Sequence, residues 1–210
     1  MEASTPAPPP PPPAEPPAAE PYPVTLGIDY PDRPLSRLTT AFRLIVVIPI
    51  LIIMMTVAAF ANGVLFIPTL LMILFRKKYP RWWWDWNLNL QRFSVRIGAY
   101  VALMDDRYPS TDEEQAVHLE YPYPDVATEL GRGMPLIKWF LAIPHYVVLF
   151  LLGIAAVIAV VIAWFAIIFT GRYPRGLFDY VEGVMRWENR VQGYAFALVT
   201  DRYPPFRLAP

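Results

Sequence analysis

The sequence contains no cysteine. That removes disulfides, thiolate nucleophiles, cysteine-ligated zinc, iron–sulfur clusters and lipoprotein-type anchoring. Histidine is almost as scarce, and His118 and His145 are too few for a histidine-rich metal site. Charge is sparse too: Asp, Glu, Lys and Arg make up 17% of the 210 residues, against about 25% in soluble domains. Cations and anions balance to a net charge of zero, so bulk charge gives no nucleic-acid signature. P-loop, GxGxxG, HExxH, GxSxG and EF-hand patterns are also missing. The expectation is a chain with no cofactor, no metal, no nucleic-acid partner and no enzymatic activity.

What is abundant is apolar length. Leu136 to Phe169 holds no Asp, Glu or Arg, and Lys138 is its single cation. A bilayer core is about 30 Å thick and takes ~20 apolar residues at 1.5 Å rise each. This run of 34 residues would make a helix of roughly 51 Å, long for one span and short for two. A similar run, Leu44 to Phe75, lies in the first half.

Residues 1–23 are almost entirely Pro, Ala and Glu. Proline lacks the backbone donor and fixes φ, so the segment favours extended polyproline II and builds no core. It has no basic stretch followed by an apolar one and does not read as a signal peptide. It is a disordered spacer or a docking ligand for a proline-binding partner.

Val24 to Tyr30 alternates apolar and polar residues, a strand pattern. Ser36 is a plausible N-cap for a helix starting at Arg37. Pro49 and then Asn62-Gly63 interrupt the apolar run. After it come Arg76, Lys77, Lys78 and Arg81, then Trp82, Trp83, Trp84 and Trp86. Trp favours the headgroup zone. Trp86, Leu90, Phe93 and Ile97 recur at helical spacing, which predicts an amphipathic helix on the membrane surface. Tyr100 to Met104 reads as a second strand.

The pattern then repeats. Tyr123, Ile143, Tyr173, Gly193 and Asp201 match Tyr30, Ile48, Tyr79, Gly98 and Asp106, at offsets of 93, 95, 94, 95 and 95. A near-constant offset over five landmarks is the signature of an internal duplication. The predicted organisation is a tail over 1–23, a repeat over 24–109, a linker over 110–116 and a second repeat over 117–207. Each repeat is expected to run strand, transmembrane helical hairpin, interfacial amphipathic helix, strand. The fold class is then integral membrane and mainly α, and strands near Val24, Tyr100, Val117 and Tyr194 would pool into one small cytoplasmic sheet.

Three topologies compete: one tilted helix per run, a hairpin broken at Asn62-Gly63 or near Gly153, or a re-entrant hairpin. Both ends of each run are basic, with Arg33, Arg37 and Arg43 before the first and Arg132 and Lys138 before the second. By the positive-inside rule this favours hairpins with both termini cytoplasmic, hence a multi-pass protein.

The second half resembles a bacterial membrane family. The residues that carry the resemblance are Ala142-Ile143-Pro144-His145, the stretch Phe169 to Asp179, Arg186-Trp187, Arg190, Tyr194 and Asp201 to Phe206. The family is the one known as domain of unknown function 4389. The resemblance is close over 117–207 and looser in the first half, where Arg76-Lys77-Lys78 stands in place of Thr-Gly-Arg. It implies an integral membrane protein of the bacterial inner membrane and no particular activity.

The candidate contact residues are Arg76, Lys77, Lys78, Arg81, Trp82, Trp83, Trp84, Trp86, Arg172, Arg175, Arg186, Trp187 and Arg190. Cations and Trp beside a bilayer suit lipid headgroups, anionic ones among them. Lys138 is expected to snorkel to the interface, and His145 to hydrogen-bond a neighbouring helix or lie near the interface. Glu182 and Arg186 have the spacing of a helix-surface ion pair. The functional expectation is a membrane accessory or scaffold protein that binds lipid, a protein complex or a second copy. A small transporter or channel is the alternative, because internal repeats are common there.

Overall fold

The structure, a computed structural model, describes residues 21–55 and 66–210. Most of the proline-rich segment and the Asn62-Gly63 turn lie outside the described residues. The first repeat supplies β1 (Thr25–Ile28), α1 (Arg37–Val46), α2 (Ile48–Met55), α3 (Phe66–Arg76) and α4 (Arg81–Val101). The second supplies β2 (Val117–Glu120), α5 (Met134–Leu141), α6 (Ile143–Thr170) and α7 (Arg175–Ala195).

Local chemistry sets the boundaries. The Ser36 hydroxyl accepts the Thr39 N–H and caps α1. α1 and α2 meet at a 41° bend. Pro49 follows it, lacking the N–H and crowding the preceding turn. Pro144 sits instead in the first turn of α6, where a missing N–H costs little. Gly171, at φ 75°, ends α6.

The hairpin expected near Gly153 is not there, because α6 runs through it without interruption. A lone glycine costs a helix only about 1 kcal/mol relative to alanine, too little to break a helix rich in Leu, Ile, Val and Ala. α5 and α6 together make one apolar helix of 37 residues, Met134–Thr170, long enough to cross a bilayer. The molecule buries only 11% of its most apolar stretch. The bent pair α1–α2 would be a second candidate.

Two of the four expected strands are also corrected. Tyr100 and Tyr194 lie in the last turns of α4 and α7, and each helix is followed by a left-handed leucine, Leu103 at φ 65° and Leu198 at φ 57°. Both leucines are buried, so the core holds a conformation that leucine otherwise disfavours.

The remaining strands pair antiparallel across the duplication, Leu26 opposite Leu119 and Ile28 opposite Val117. β1 packs on α7 and β2 packs on α4. Each repeat therefore lends its strand to the amphipathic helix of the other. α1 likewise packs on α6, and α3 on α5. The apolar faces of α4 and α7, which the sequence suggested for a membrane surface, are turned inward onto this shared core. Gly193 shows how closely strand and helix approach: a methyl group there would meet Val24 Cγ2 at 2.7 Å.

α6 and α7 lie antiparallel. The Tyr180 hydroxyl reaches the Leu152 carbonyl, and seven residues further on Trp187 Nε1 donates to His145 Nδ1 at 3.0 Å. His145 is thus bonded to a neighbouring helix, as expected, and stacks on Phe206 with ring centres 4.0 Å apart.

A buried clasp closes each repeat on itself. Arg43, 2% exposed, donates to the carbonyls of Tyr100 and Asp105 and to Asp106 Oδ1, the last at 2.7 Å. Asp106 Oδ2 accepts the N–H of the capping residue Ser36 at 2.8 Å. In the second repeat Lys138 Nζ donates to the Thr200 carbonyl and pairs with Asp201 at 2.6 Å. Asp201 Oδ2 then accepts the Gly131 N–H. Arg43 and Lys138 lie over the rings of Tyr100 and Tyr194. Lys138 is fully buried, so it does not snorkel. The aspartates of the two Asp-Arg-Tyr-Pro boxes tie a repeat to itself, not to its twin.

Candidate functional site

Two clefts stand at equivalent places in the duplication. Each joins the Tyr-Pro-Asp box of one repeat to the basic Tyr-Pro-Arg box of the other. The first, about 290 Å³, is lined by Tyr30 to Leu35 with Arg172 and Tyr173. The second, about 550 Å³, is lined by Lys77 to Pro80 and Tyr123 to Ala127.

The same contacts build both. The Tyr30 hydroxyl donates to the Tyr173 carbonyl, and the Tyr123 hydroxyl to the Tyr79 carbonyl. Arg175 lies 4.5 Å over the Tyr30 ring and Arg81 lies 4.8 Å over the Tyr123 ring. Tyr30 meets Phe178 edge to face, and Tyr123 meets Trp84 in the same way. These pairs hold the aromatic walls in place. Burial pushes the Tyr79 and Tyr173 phenols up, so both stay neutral.

Arg33 and Arg172 face Asp32 in the first cleft, and Lys77 and Lys78 face Asp125 in the second, so cations outnumber acids in both. Lys78 and Arg172 are exposed, as are Arg76, Arg81 and Arg175, which adjoin the clefts in sequence without lining them. Arg81 and Arg175 each pair with an acid one turn on, Asp85 at 3.3 Å and Asp179 at 2.9 Å. Exposed pairs of this kind contribute about 0.3–0.5 kcal/mol and leave the cations free to engage an anion. Lys77 occupies a left-handed position, φ 47°, where the second repeat has Gly171, and its ammonium donates to the Ala127 carbonyl at 2.9 Å. Asp125 stays ionised: hydrogen bonds, first of all from the Thr128 hydroxyl, hold its carboxyl below the usual range.

The tryptophans divide. Trp82 and Trp86 are exposed, and Trp83 is half-buried with its Nε1 donating to Thr69 Oγ1 at 2.8 Å. Trp84 is in the core, so its ring contacts Tyr123 and Arg81 instead of a headgroup zone. Trp139 and Phe140 on α5 are exposed aromatics absent from the sequence-derived set. Their place in an apolar run beside Lys138 was the signal.

Arg186, Trp187 and Arg190 leave the accessible set altogether, because all three are buried. Arg186 Nε donates to the Leu26 carbonyl at 2.8 Å, and its other nitrogens reach the Leu208 carbonyl and Glu182. Glu182 also accepts the Ile28 N–H. The predicted Glu182–Arg186 pair exists, but it covers the open edge of β1 and not a solvent face. Arg92 does the same for β2, donating to the Leu119 carbonyl at 2.9 Å. Arg190 donates to the carbonyls of Arg207 and Ala209 and so fastens the C-terminal segment. Among the described residues no group of His, Asp and Glu is placed to hold a metal ion.

The fold and clefts define a mostly helical, internally duplicated chain with one or two helices apolar enough to cross a membrane. The family described as Domain of unknown function (DUF4389) matches it twice, over residues 37–111 and 134–207. The chain belongs to that family, in two tandem copies. Neither a curated protein nor a solved structure matches.

Proposed function

We propose that the protein is a non-enzymatic membrane scaffold whose two basic clefts hold anionic lipid headgroups. The apolar surfaces of α1, α2 and α6 lie in the bilayer, and the proline-rich segment serves as a docking ligand for a protein partner. The observation that carries this is the duplicated cleft, an aromatic-walled cluster of exposed cations next to the end of an apolar helix. Among the described residues Leu44, Phe150, Val157 and Phe165 are exposed large apolar side chains on these helices. The transport reading is weaker. Lys138 and His145, the basic side chains of the α5–α6 helix, are both buried against the chain's own C-terminal segment.

A cation near an anionic membrane surface gains about 1 kcal/mol, so each of Arg76→Gln, Lys78→Gln and Arg172→Gln should lower the preference for phosphatidylglycerol over phosphatidylcholine about fivefold. Competition between the two lipids for the purified protein measures it. An unchanged preference in the triple variant would sink the headgroup reading. In this proposal the basic flanks of the first run, Arg33 to Arg43 and Arg76 to Arg81, favour the cytoplasmic side of the bacterial inner membrane for Lys78. A cysteine at position 78 should then react with an impermeant label in inside-out vesicles and not in intact spheroplasts. The reverse pattern refutes that orientation.

A further inference from the structure

An apolar cleft of about 310 Å³ opens between α1, the end of α4 and α6, with Thr40, Arg43, Val101, Val161, Trp164 and Phe165 in its walls. Ligand pockets start near this size, about 300 Å³. Two buried polar atoms here lack a partner among the described residues, Thr40 Oγ1 and Arg43 Nε, on side chains only 1% and 2% exposed. An unmade hydrogen bond in such a place is costly and calls for a ligand atom. Trp164 is fixed as a wall, because its Nε1 donates to the Thr40 carbonyl at 3.0 Å.

The duplication supplies an internal comparison. The counterparts of Val101 and Val161, 95 residues away in each case, are Phe196 and Phe66. Those two rings meet edge to face at 6.1 Å and fill the equivalent space. The counterpart of Thr40 is Pro135, which has no hydroxyl. One half of the molecule thus closes with aromatic rings the space that the other keeps open and equips with two donors.

We infer that this cleft binds one acyl chain of a bilayer phospholipid, with the ester carbonyl oxygen accepting from the Thr40 hydroxyl and the Arg43 Nε–H. The inference rests on the bilayer reading above. The mouth of the cleft is continuous with membrane-type surface, since Leu44, Val161 and Phe165 beside it are all exposed. A neutral carbonyl does not compete with Asp106 for the guanidinium charge. The depth also fits. Thr40 and Arg43 lie four and seven residues past the cap Ser36, about 6–10 Å along the helix. The interfacial zone of one leaflet is roughly 5–8 Å thick.

The test uses the full chain in phosphatidylcholine nanodiscs, released for native mass spectrometry under activation that strips loosely held lipid. The wild type should retain a single phosphatidylcholine. Val101→Phe with Val161→Phe, which copies the filled half, should retain none. Thr40→Val keeps the volume and removes one donor, and should lower retention about fivefold. It carries the test alone if the double variant does not fold. A wild type without bound lipid, equal retention in the variants, or a second protein copy in place of the lipid overturns the inference. Alkaline carbonate extraction separates the two levels. Release of the wild type from membranes would remove the bilayer reading itself. Retention in the membrane without a bound lipid leaves that reading standing and removes only the cleft.

Discussion

Asp106→Ala is expected to lower the unfolding free energy by about 3–5 kcal/mol, because it strands a buried guanidinium without its counter-charge. Arg43 would keep its bonds to the Tyr100 and Asp105 carbonyls, but the Asp106 carboxylate and the link to the Ser36 N–H would be gone. The double variant Arg43→Met, Asp106→Leu removes both charges and should be less destabilised than Asp106→Ala, since replacing a buried pair by apolar groups is often near neutral. Asp201→Ala should behave similarly but more mildly. Lys138 is fully buried there, yet its partner carboxylate is 22% exposed and water can reach it. Denaturant titration in mild detergent measures all three. If the double variant is no more stable than Asp106→Ala, the two groups are not coupled as described.

The second large effect concerns Arg186. Arg186→Ala removes the donors to the Leu26 and Leu208 carbonyls and leaves Glu182 beside the strand without its cation. Hydrogen bonds to charged groups contribute about 1.5–3 kcal/mol each, and an orphaned buried acceptor adds to the loss, so a destabilisation near 3 kcal/mol is expected. Arg92→Ala is the internal control. Its side chain is 30% exposed, and the loss there should stay near 1 kcal/mol. Equal losses at the two positions would mean that the β1 edge is not secured by Arg186. Amide exchange at Ile28 offers a local readout, and it should quicken in Arg186→Ala alone.

Much of the architecture was legible in the residues. The constant offset announced the duplication, and strict alternation marked β1 and β2. Ser36 marked the start of α1. Tyr100 to Met104 misled because a helix end and a strand look alike over five residues. What decides between them is the left-handed turn at Leu103, a residue type that gives no local hint of it. Gly153 misled in the opposite sense, a breaker outweighed by the helix formers around it. The surface role given to Arg186 and Arg190 failed because helical spacing says which residues share a face, not what covers that face. The clasp did leave a signal. Arg43 and Lys138 recur at the same offset as Asp106 and Asp201, and a cation kept twice inside an apolar run points to a fixed internal partner. The clefts were half legible: their basic members stood out, while Tyr30 and Tyr123 of the partnering boxes stood out only as landmarks of the duplication.

The exchange of strands between the repeats has a consequence for synthesis on the ribosome. β1 emerges before the second repeat is made, and the side chain that covers its edge comes 160 residues later. At roughly 5–20 residues per second the nascent strand waits about 8–32 s for Arg186. Throughout that interval Leu26 and Ile28 present an open edge to any neighbouring nascent chain. Pro21 and Pro23 stand directly upstream and have no N–H to offer to an intruding strand. They shorten the stretch that can mispair while the second half of the chain is still being made.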